Sequence, residues 1–362
     1  MRIEPWFCCC WPCSCALPQV LPTIGGRLEE WPQCEAHRSI MDRPWHTLMR
    51  HCSDRIPCRW WGLVLAVCAV SLGFGSVLSG QTVFRSKVEL VTLTVTATDP
   101  AKRYVTDLGA NDFVILEDGR PQATTFFQKA DIPLALALVL DTSASMRTAL
   151  RVAQEAAIRF ASQLAAEDVA AVVAFDSTVR VCATFTNDSR RLEDAIRQLQ
   201  ADGSTAIYNA LYIALKELAR ETARDRFPKR RRNAIVLLSD GDDTSSLLGY
   251  QEVLETAARQ DTVIYAIRLG LRRNRSDRFH SDAPFVLREL AERSGGRVFF
   301  PQAVWDLPKV YSDIRTELSS QYALAYVSAN SRRDGEFRRI DVRVSRPGVV
   351  ARARHGYYAP SR

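Results

Sequence analysis

The chain has 362 residues, 47% of them apolar, with 48 basic and 41 acidic side chains. These proportions exclude a disordered tail, a collagen-like repeat and a minimal disulfide-stapled scaffold, and at roughly 150 residues per domain the length suits about two domains. Ten cysteines suggest a disulfide framework until they are placed: all but Cys182 lie at or before Cys68, so the main body must stand on its core alone.

Residues 1–58 read as an N-terminal extension outside the mature protein. Its CCCWPCSC run, residues 8–15, invites a metal-cluster reading, but the spacing fits none of the paired zinc patterns. Residues 59–80 read as an export signal or membrane anchor. Arg55 and Arg59 precede the uncharged run 60–79 (WWGLVLAVCAVSLGFGSVLS), and the small residues around Val77, Ser79 and Gly80 suit a signal peptidase. The same length admits an uncleaved anchor with Trp60 and Trp61 at the interface, and Met41 and Met49 are alternative starts. Either reading makes the rest of the chain periplasmic, cell-surface or secreted, touching a membrane through this run alone. From Gln81 onward 41 basic residues face 35 acidic ones, too mild an excess for a nucleic-acid footprint.

Residues 81–131 read as β. Residues 88–98 (VELVTLTVTAT) alternate with period two, and 112–117 and 122–127 flank Asp118-Gly119, a dipeptide suited to a tight hairpin turn. Residues 132–320 alternate strand and helix. Strands are expected at 133–140, 169–175, 179–185, 234–238, 262–267 and 297–300, with helices near 150–164, 192–199, 207–218, 250–258, 285–293 and 307–318. Gly295-Gly296 suits a left-handed helix end. This predicts an α/β, doubly wound, mainly parallel sheet with helices on both faces. Residues 321–362 return to β, at 322–327, 339–344 and 349–354. Neither flank buries a core alone, so the two are expected to pair into a small β-sandwich around the α/β unit.

In such a sheet ligands gather beyond the carboxyl ends of the strands. Three loops there carry oxygen donors: Asp141-Thr142-Ser143-Ala144-Ser145, then Thr205 in Gly203-Ser204-Thr205, then Asp240 in Ser239-Asp240-Gly241. Two carboxylates and three hydroxyls make a hard-oxygen set that suits Mg²⁺, with Mn²⁺ or Ca²⁺ as alternatives. Each fragment alone is ordinary, since Asp and Ser cap helices and Ser-Asp-Gly forms turns. Together and in order they resemble the von Willebrand factor type A domain, whose metal-ion-dependent adhesion site uses an Asp-x-Ser-x-Ser loop, a later Thr and a later Asp. The flanks, with Phe113, residues 117–119 and the ending 352–358 (RARHGYY), resemble the VWFA-related family of exported acidobacterial proteins.

The resemblance implies that Ser143 and Ser145 bind the ion through their hydroxyls, and that Asp141, Thr205 and Asp240 act directly or through water. An ion with so few formal charges around it keeps positive charge and a replaceable water, and so attracts an Asp or Glu of a partner protein. Ala144 stands where the family often has Gly, which would matter if that position needed a positive φ.

The basic run 224–232 leads into a strand and reads as a solvated face away from the ion, whereas 268–278 follows a strand and should rim it. Beyond Gln81 the histidines are His280 and His355, and no Gly-x-Ser-x-Gly, His-Glu-x-x-His or phosphate-loop motif occurs. Cys182 reads as a packed apolar residue on an edge strand. The expected function is an exported, cation-dependent adhesion or interaction protein and not an enzyme. The alternatives are a metal-independent envelope scaffold binding through its sandwich or a sheet edge, and a metal-dependent hydrolase for which no general base is in place.

Overall fold

The computed structural model describes residues 90–129, 132–223, 225, 231–270 and 283–361, all within the compact unit Phe84–Arg362. The cysteine-rich extension, the apolar run 60–79, His280 and most of both basic runs lie outside the described residues.

Strand β1 (Leu90–Thr98) buries Val91, Leu93, Val95 and Ala97 on one face. After it come β2 (Phe113–Glu117), β3 (Arg120–Gln122) and β4 (Thr124–Lys129). Asp118 (φ 48°) and Gly119 (φ 79°) make the two-residue turn between β2 and β3, both left-handed, so the strands' twist continues through the turn. Asp118 also accepts the Arg339 amide at 2.9 Å. Residues 122–127, expected as one strand, are split at Ala123. β3 stays beside β2, while β4 joins the other sheet and lays Phe127 near Phe113 and Tyr322, with ring centroids 6.1 and 5.9 Å apart.

The α/β unit runs β5 (Leu134–Asp141), α1 (Leu150–Ala161), β6 (Val169–Phe175), β7 (Val179–Thr186), α2 (Ser189–Arg197), α3 (Ile207–Thr222), β8 (Arg232–Ser239), α4 (Tyr250–Gln260), β9 (Thr262–Arg268), α5 (Ala283–Arg293), β10 (Val298–Phe299) and α6 (Leu307–Ser319). The sheet order is β10-β9-β8-β5-β6-β7, parallel except for β7. Every residue of β5 is buried, as a central parallel strand covered on both faces requires. Leu136, Leu138 and Val172 pack under α1, α2 and α6 on one face; Ala137, Val139 and Ile235 pack under α3, α4 and α5 on the other.

Then β11 (Tyr322–Val327), β12 (Phe337–Val344), β13 (Val350–Arg352) and β14 (Gly356–Tyr358) complete two four-stranded sheets, β13-β1-β11-β4 and β14-β12-β2-β3. Each sheet mixes strands from both ends of the described chain: Leu93 of β1 faces Leu324 of β11, and Ile115 of β2 faces Val342 of β12. Both sheets contribute to one core that includes Val95, Ile115, Tyr326 and Ile340. At its edge the buried Glu117 accepts hydrogen bonds from Tyr326 (2.7 Å), Tyr357 (3.0 Å) and Ser328 (2.6 Å), with the Arg338 guanidinium 3.7 Å away.

A second buried acid ties the sandwich to the α/β unit. Glu317 of α6 is fully buried and accepts from Tyr265 of β9 (2.8 Å), Tyr104 (3.1 Å) and Arg352 of β13, with Arg297 at 3.5 Å. Nearby, Arg354 donates to the carbonyls of Ala258 and Thr92 and pairs with Asp261 at 3.2 Å.

Two local expectations are corrected. Arg232, expected on a solvated face, turns inward and donates to Leu318 O, Ile132 O and Gln321 Oε1, because the flanking strands cover the amino end of β8. Cys182, expected to be packed, is exposed on edge strand β7, which has no strand on its outer side. Exposed His355 lies between β13 and β14, and its amide donates to Arg293 O at 3.1 Å.

Candidate metal centre

Asp141 is the last residue of β5 and is fully buried. Here the chain turns sharply: the Thr142 amide and hydroxyl both donate to Phe175 O at the end of β6, at 2.7 and 3.0 Å. That anchor aims the Ser143 amide back at Asp141 Oδ1, 2.8 Å away. Ser143 then opens a short 3-10 turn, Ala144–Thr148, pinned by Ala144 N donating to Gly203 O at 3.0 Å and by buried Met146. Ala144 lies inside this helical turn, so no left-handed backbone is asked of it and the alanine is unstrained.

The five oxygen-bearing residues singled out in the sequence come together. Ser143 Oγ lies 3.0 Å from Ser145 Oγ, and Ser145 Oγ donates to Asp240 Oδ1 at 2.7 Å, across 95 residues of chain. Thr205 precedes α3; its amide donates to Thr244 Oγ1 at 3.1 Å, and its carbonyl accepts the Thr244 and Ser245 amides. Its hydroxyl lies 3.5 Å from where a Cβ on Gly241 would stand, which puts it against the Asp240 loop and leaves room there for a glycine. Ser143, Thr205 and Asp240 are buried, whereas Ser145 is exposed.

Ser239, passed over as a turn residue, is part of the same cluster. Its hydroxyl donates to Asp141 Oδ2 at 2.5 Å and accepts the Gly241 amide at 3.2 Å. The sequence holds a weak signal for it, the first residue of Ser-Asp-Gly at a strand end. Asp176, read as part of a hairpin turn, is buried beside Asp141's loop. It pairs with Arg180 at 2.9 Å, and Arg180 reaches Thr142 Oγ1 at 3.5 Å. Arg268, the first residue of the second basic run, stands at the rim and pairs with Asp242 at 3.3 Å.

Burial pushes the Asp141 carboxyl up to about 6, and the nearby Asp240 charge adds to the rise, against the lowering effect of the Ser239 and Ser143 hydrogen bonds. The hydrogen bonds to Asp141 come from hydroxyl and amide groups, so its charge is met by dipoles and not by a basic side chain. Among the described residues no cluster of three or more His, Cys, Asp or Glu stands ready for a metal. The groups that hydrogen-bond together here are carboxylates, hydroxyls and amides, with no thiolate or imidazole among them to favour a soft metal. Two carboxylates with hydroxyls suit a hard divalent cation.

Comparison with known proteins gives a domain match within the α/β unit. A family model for the von Willebrand factor type A domain matches residues 136–242, which contain all five candidate residues, Asp141, Ser143, Ser145, Thr205 and Asp240, in order. A UPF0353 protein of Mycolicibacterium gilvum is 27% identical over 201 residues, 50% of this chain and 59% of that protein, so the match spans about three fifths of the relative's length. A von Willebrand factor type A protein from Catenulispora acidiphila aligns with a TM-score of 0.45 at 14% identity, over 76% of this chain and 75% of that one. Proximal thread matrix protein 1 from the mussel byssus, solved with a zinc-occupied adhesion motif, aligns with a TM-score of 0.42 at 13% identity, over 51% and 48% of the two chains. Residues 136–242 of this chain thus match the von Willebrand factor type A domain, and they run through the mainly parallel sheet with helices on both faces.

Proposed function

We propose that this protein is an exported interaction module in which Asp141, Ser143, Ser145, Thr205 and Asp240 hold a divalent cation, Mg²⁺ by preference, and that the cation takes a carboxylate from a protein partner. The observation that carries the reading is the continuous run of oxygen groups from Asp141 through Ser143 and Ser145 to Asp240, at the carboxyl ends of β5 and β8. Ser143, Ser145 and Asp240 supply oxygens at hydrogen-bonding distance from one another, a spacing that one cation can span in place of the protons between them. Asp141 and Thr205 support the cluster from below and beside it. With two formal negative charges around a doubly charged ion, neutral hydroxyls in the remaining positions and Ser145 open to solvent, a partner's carboxylate completes the shell.

Export is supported by the charge-free run 60–79 after Arg55 and Arg59. An interaction role is favoured over catalysis because, among the described residues, the hydrogen bonds that link the cluster join carboxylates, hydroxyls and amides and bring in no histidine.

Calorimetric titration of the protein with MgCl₂ and MnCl₂ tests the proposal, alongside anomalous scattering from manganese-soaked crystals. Saturable binding that is lost in Asp240→Ala, with manganese between Ser143, Ser145 and Asp240, is the expected result. Equal heats from wild type and variant, or an empty cluster, would overturn it.

A further inference from the structure

Among the described residues, the most exposed large apolar side chains gather at one end of the parallel sheet. Leu247 is 95% exposed, Trp305 75% and Phe285 63%. Each follows the carboxyl end of a parallel strand: Leu247 lies between β8 and α4, Phe285 in the first turn of α5 after β9, and Trp305 between β10 and α6. Half-exposed Phe300 belongs to the same loop as Trp305. This is also the end where Asp141, Ser143, Ser145, Thr205 and Asp240 meet. The remaining exposed apolar residues, Val114, Val181, Val327, Phe337 and Val350, are spread over five strands elsewhere.

Leu247 and Trp305 stand on opposite sides of the sheet, and both are held in place. On one side, the loop before Leu247 is bound to Thr205 through the Thr244 and Ser245 amides at 2.8 and 3.1 Å. The Leu247 amide itself donates to Asn209 Oδ1 of α3 at 3.2 Å. On the other side, Trp305 sits in a 3-10 turn, Val304–Asp306, closed by the Ala303 amide on Asp306 Oδ2 at 3.0 Å. Val304 packs into the core cluster that contains Met146, the residue after Ser145. The end of the sheet that carries the oxygens thus also carries an exposed leucine on one face and an exposed tryptophan on the other, each on a hydrogen-bonded turn of backbone.

Leaving a leucine and a tryptophan in water forgoes the favourable transfer of their apolar surface out of it. Anchored aromatic and aliphatic groups around a polar centre are the usual makings of an interface hot spot, because they exclude water from the central polar contact. A cation and a carboxylate alone recognise any acidic surface; apolar flanks select among acidic surfaces.

We infer that the partner presents a carboxylate flanked on both sides by large apolar side chains, which bury Leu247 and Trp305 while the carboxylate meets the cation. This rests on the cation-dependent reading above and adds the partner's chemistry to it. The two charges at the centre set the sign of the partner, and the two side chains set its neighbours.

The test uses the full chain and two synthetic peptides in millimolar Mg²⁺, one with Asp between Leu-Phe pairs and one with Asp between Ser-Ser pairs, with affinities read by calorimetry. The apolar-flanked peptide is expected to bind about tenfold tighter or more, equivalent to roughly 1.4 kcal/mol, and to lose binding in EDTA. Leu247→Ser and Trp305→Ser should each erode that preference severalfold, with melting temperature measured as the folding control. Equal affinities, no binding of either peptide to the magnesium-loaded protein, or an undiminished preference in both variants would overturn the inference and leave the cation site standing. Tight binding of the apolar peptide in EDTA would overturn it too. Absence of magnesium binding in the peptide-free titration would instead remove the reading on which it rests.

Discussion

Asp141 shows what the site costs the fold and what a cation returns. Its folded carboxyl titrates at about 6, above the ordinary aspartate value of about 3.9. A raised folded value means stability is fully present below the unfolded pKa and is lost as pH rises from about 4 through about 6, on the order of 3 kcal/mol in the metal-free protein. In EDTA at pH 7.5, Asp141→Asn should therefore melt higher than wild type, by about 1–3 kcal/mol of stability, while Mg²⁺ raises only the wild-type melting temperature. A metal-free Asp141→Asn protein that melts lower than wild type would contradict this. The same titration makes the cation compete with a proton, so Mg²⁺ affinity should fall as pH is lowered through about 6, which calorimetry in a pH series reads directly. Asp141, Ser143, Ser145 and Asp240 were legible in the sequence because they follow strands in an alternating strand–helix pattern, and Thr205 because it stands at a helix start. Ser239 was not, because a serine in a turn carries no sign of which carboxylate it will meet. Glu117 and Glu317 were equally hidden: a lone acid in a strand or helix reads as a surface charge, and the tyrosines and arginines that bury it come from more than 200 residues away in the case of Tyr326 and Tyr104.

At the scale of elements, continuous apolar runs and helical stripes made the central sheet readable, since a parallel strand buried on both faces leaves little ambiguity. The sandwich strands were harder. The β3–β4 break at Ala123 leaves the period-two pattern untouched because both halves stay extended, and β14 is too short, at three residues, to show a period. Glycines mark where elements meet more sharply than the apolar pattern does. Gly295, just past α5, has φ +89°, and a Cβ there would stand 2.8 Å from the Arg354 amide. One residue thus ends a helix and admits the carboxy-terminal segment against it. Gly295→Ala adds both left-handed strain and a backbone clash and should cost about 2–4 kcal/mol, more than the roughly 1–2 kcal/mol of the strain alone. Chemical denaturation gives the value, and a cost below about 1 kcal/mol would mean that Arg354 does not pack there. Gly119→Ala, with nothing within 4 Å of its Cβ, is the control in which only the left-handed strain is felt.

At the scale of the whole described unit, chain order and packing order diverge. The strands before Leu134 and after Ser319 lie on both sides of the α/β segment in sequence but interleave in space, so closing the sandwich brings together the two ends of the segment between them. Such a closure couples the two cores only if the contact between them resists opening, and Glu317 supplies that resistance. Its carboxylate is fully buried and is shared between Tyr265 and Arg297 of the α/β unit and Tyr104 and Arg352 of the sandwich side. Removing one member of a buried ion pair strands the rest without a counter-charge, a loss of about 3–5 kcal/mol. Glu317→Ala should therefore lower stability by about that much and, more tellingly, should split a single unfolding transition into two, since the sandwich and the α/β unit no longer share the acid that joins them. Calorimetry read against tyrosine absorbance distinguishes the cases: Tyr322 and Tyr326 report the sandwich core and Tyr311 the α/β core. A Glu317→Ala protein that still melts in one transition, with both sets of tyrosines exposed together, would show that the two cores are coupled by apolar packing and that the buried acid only fixes their register.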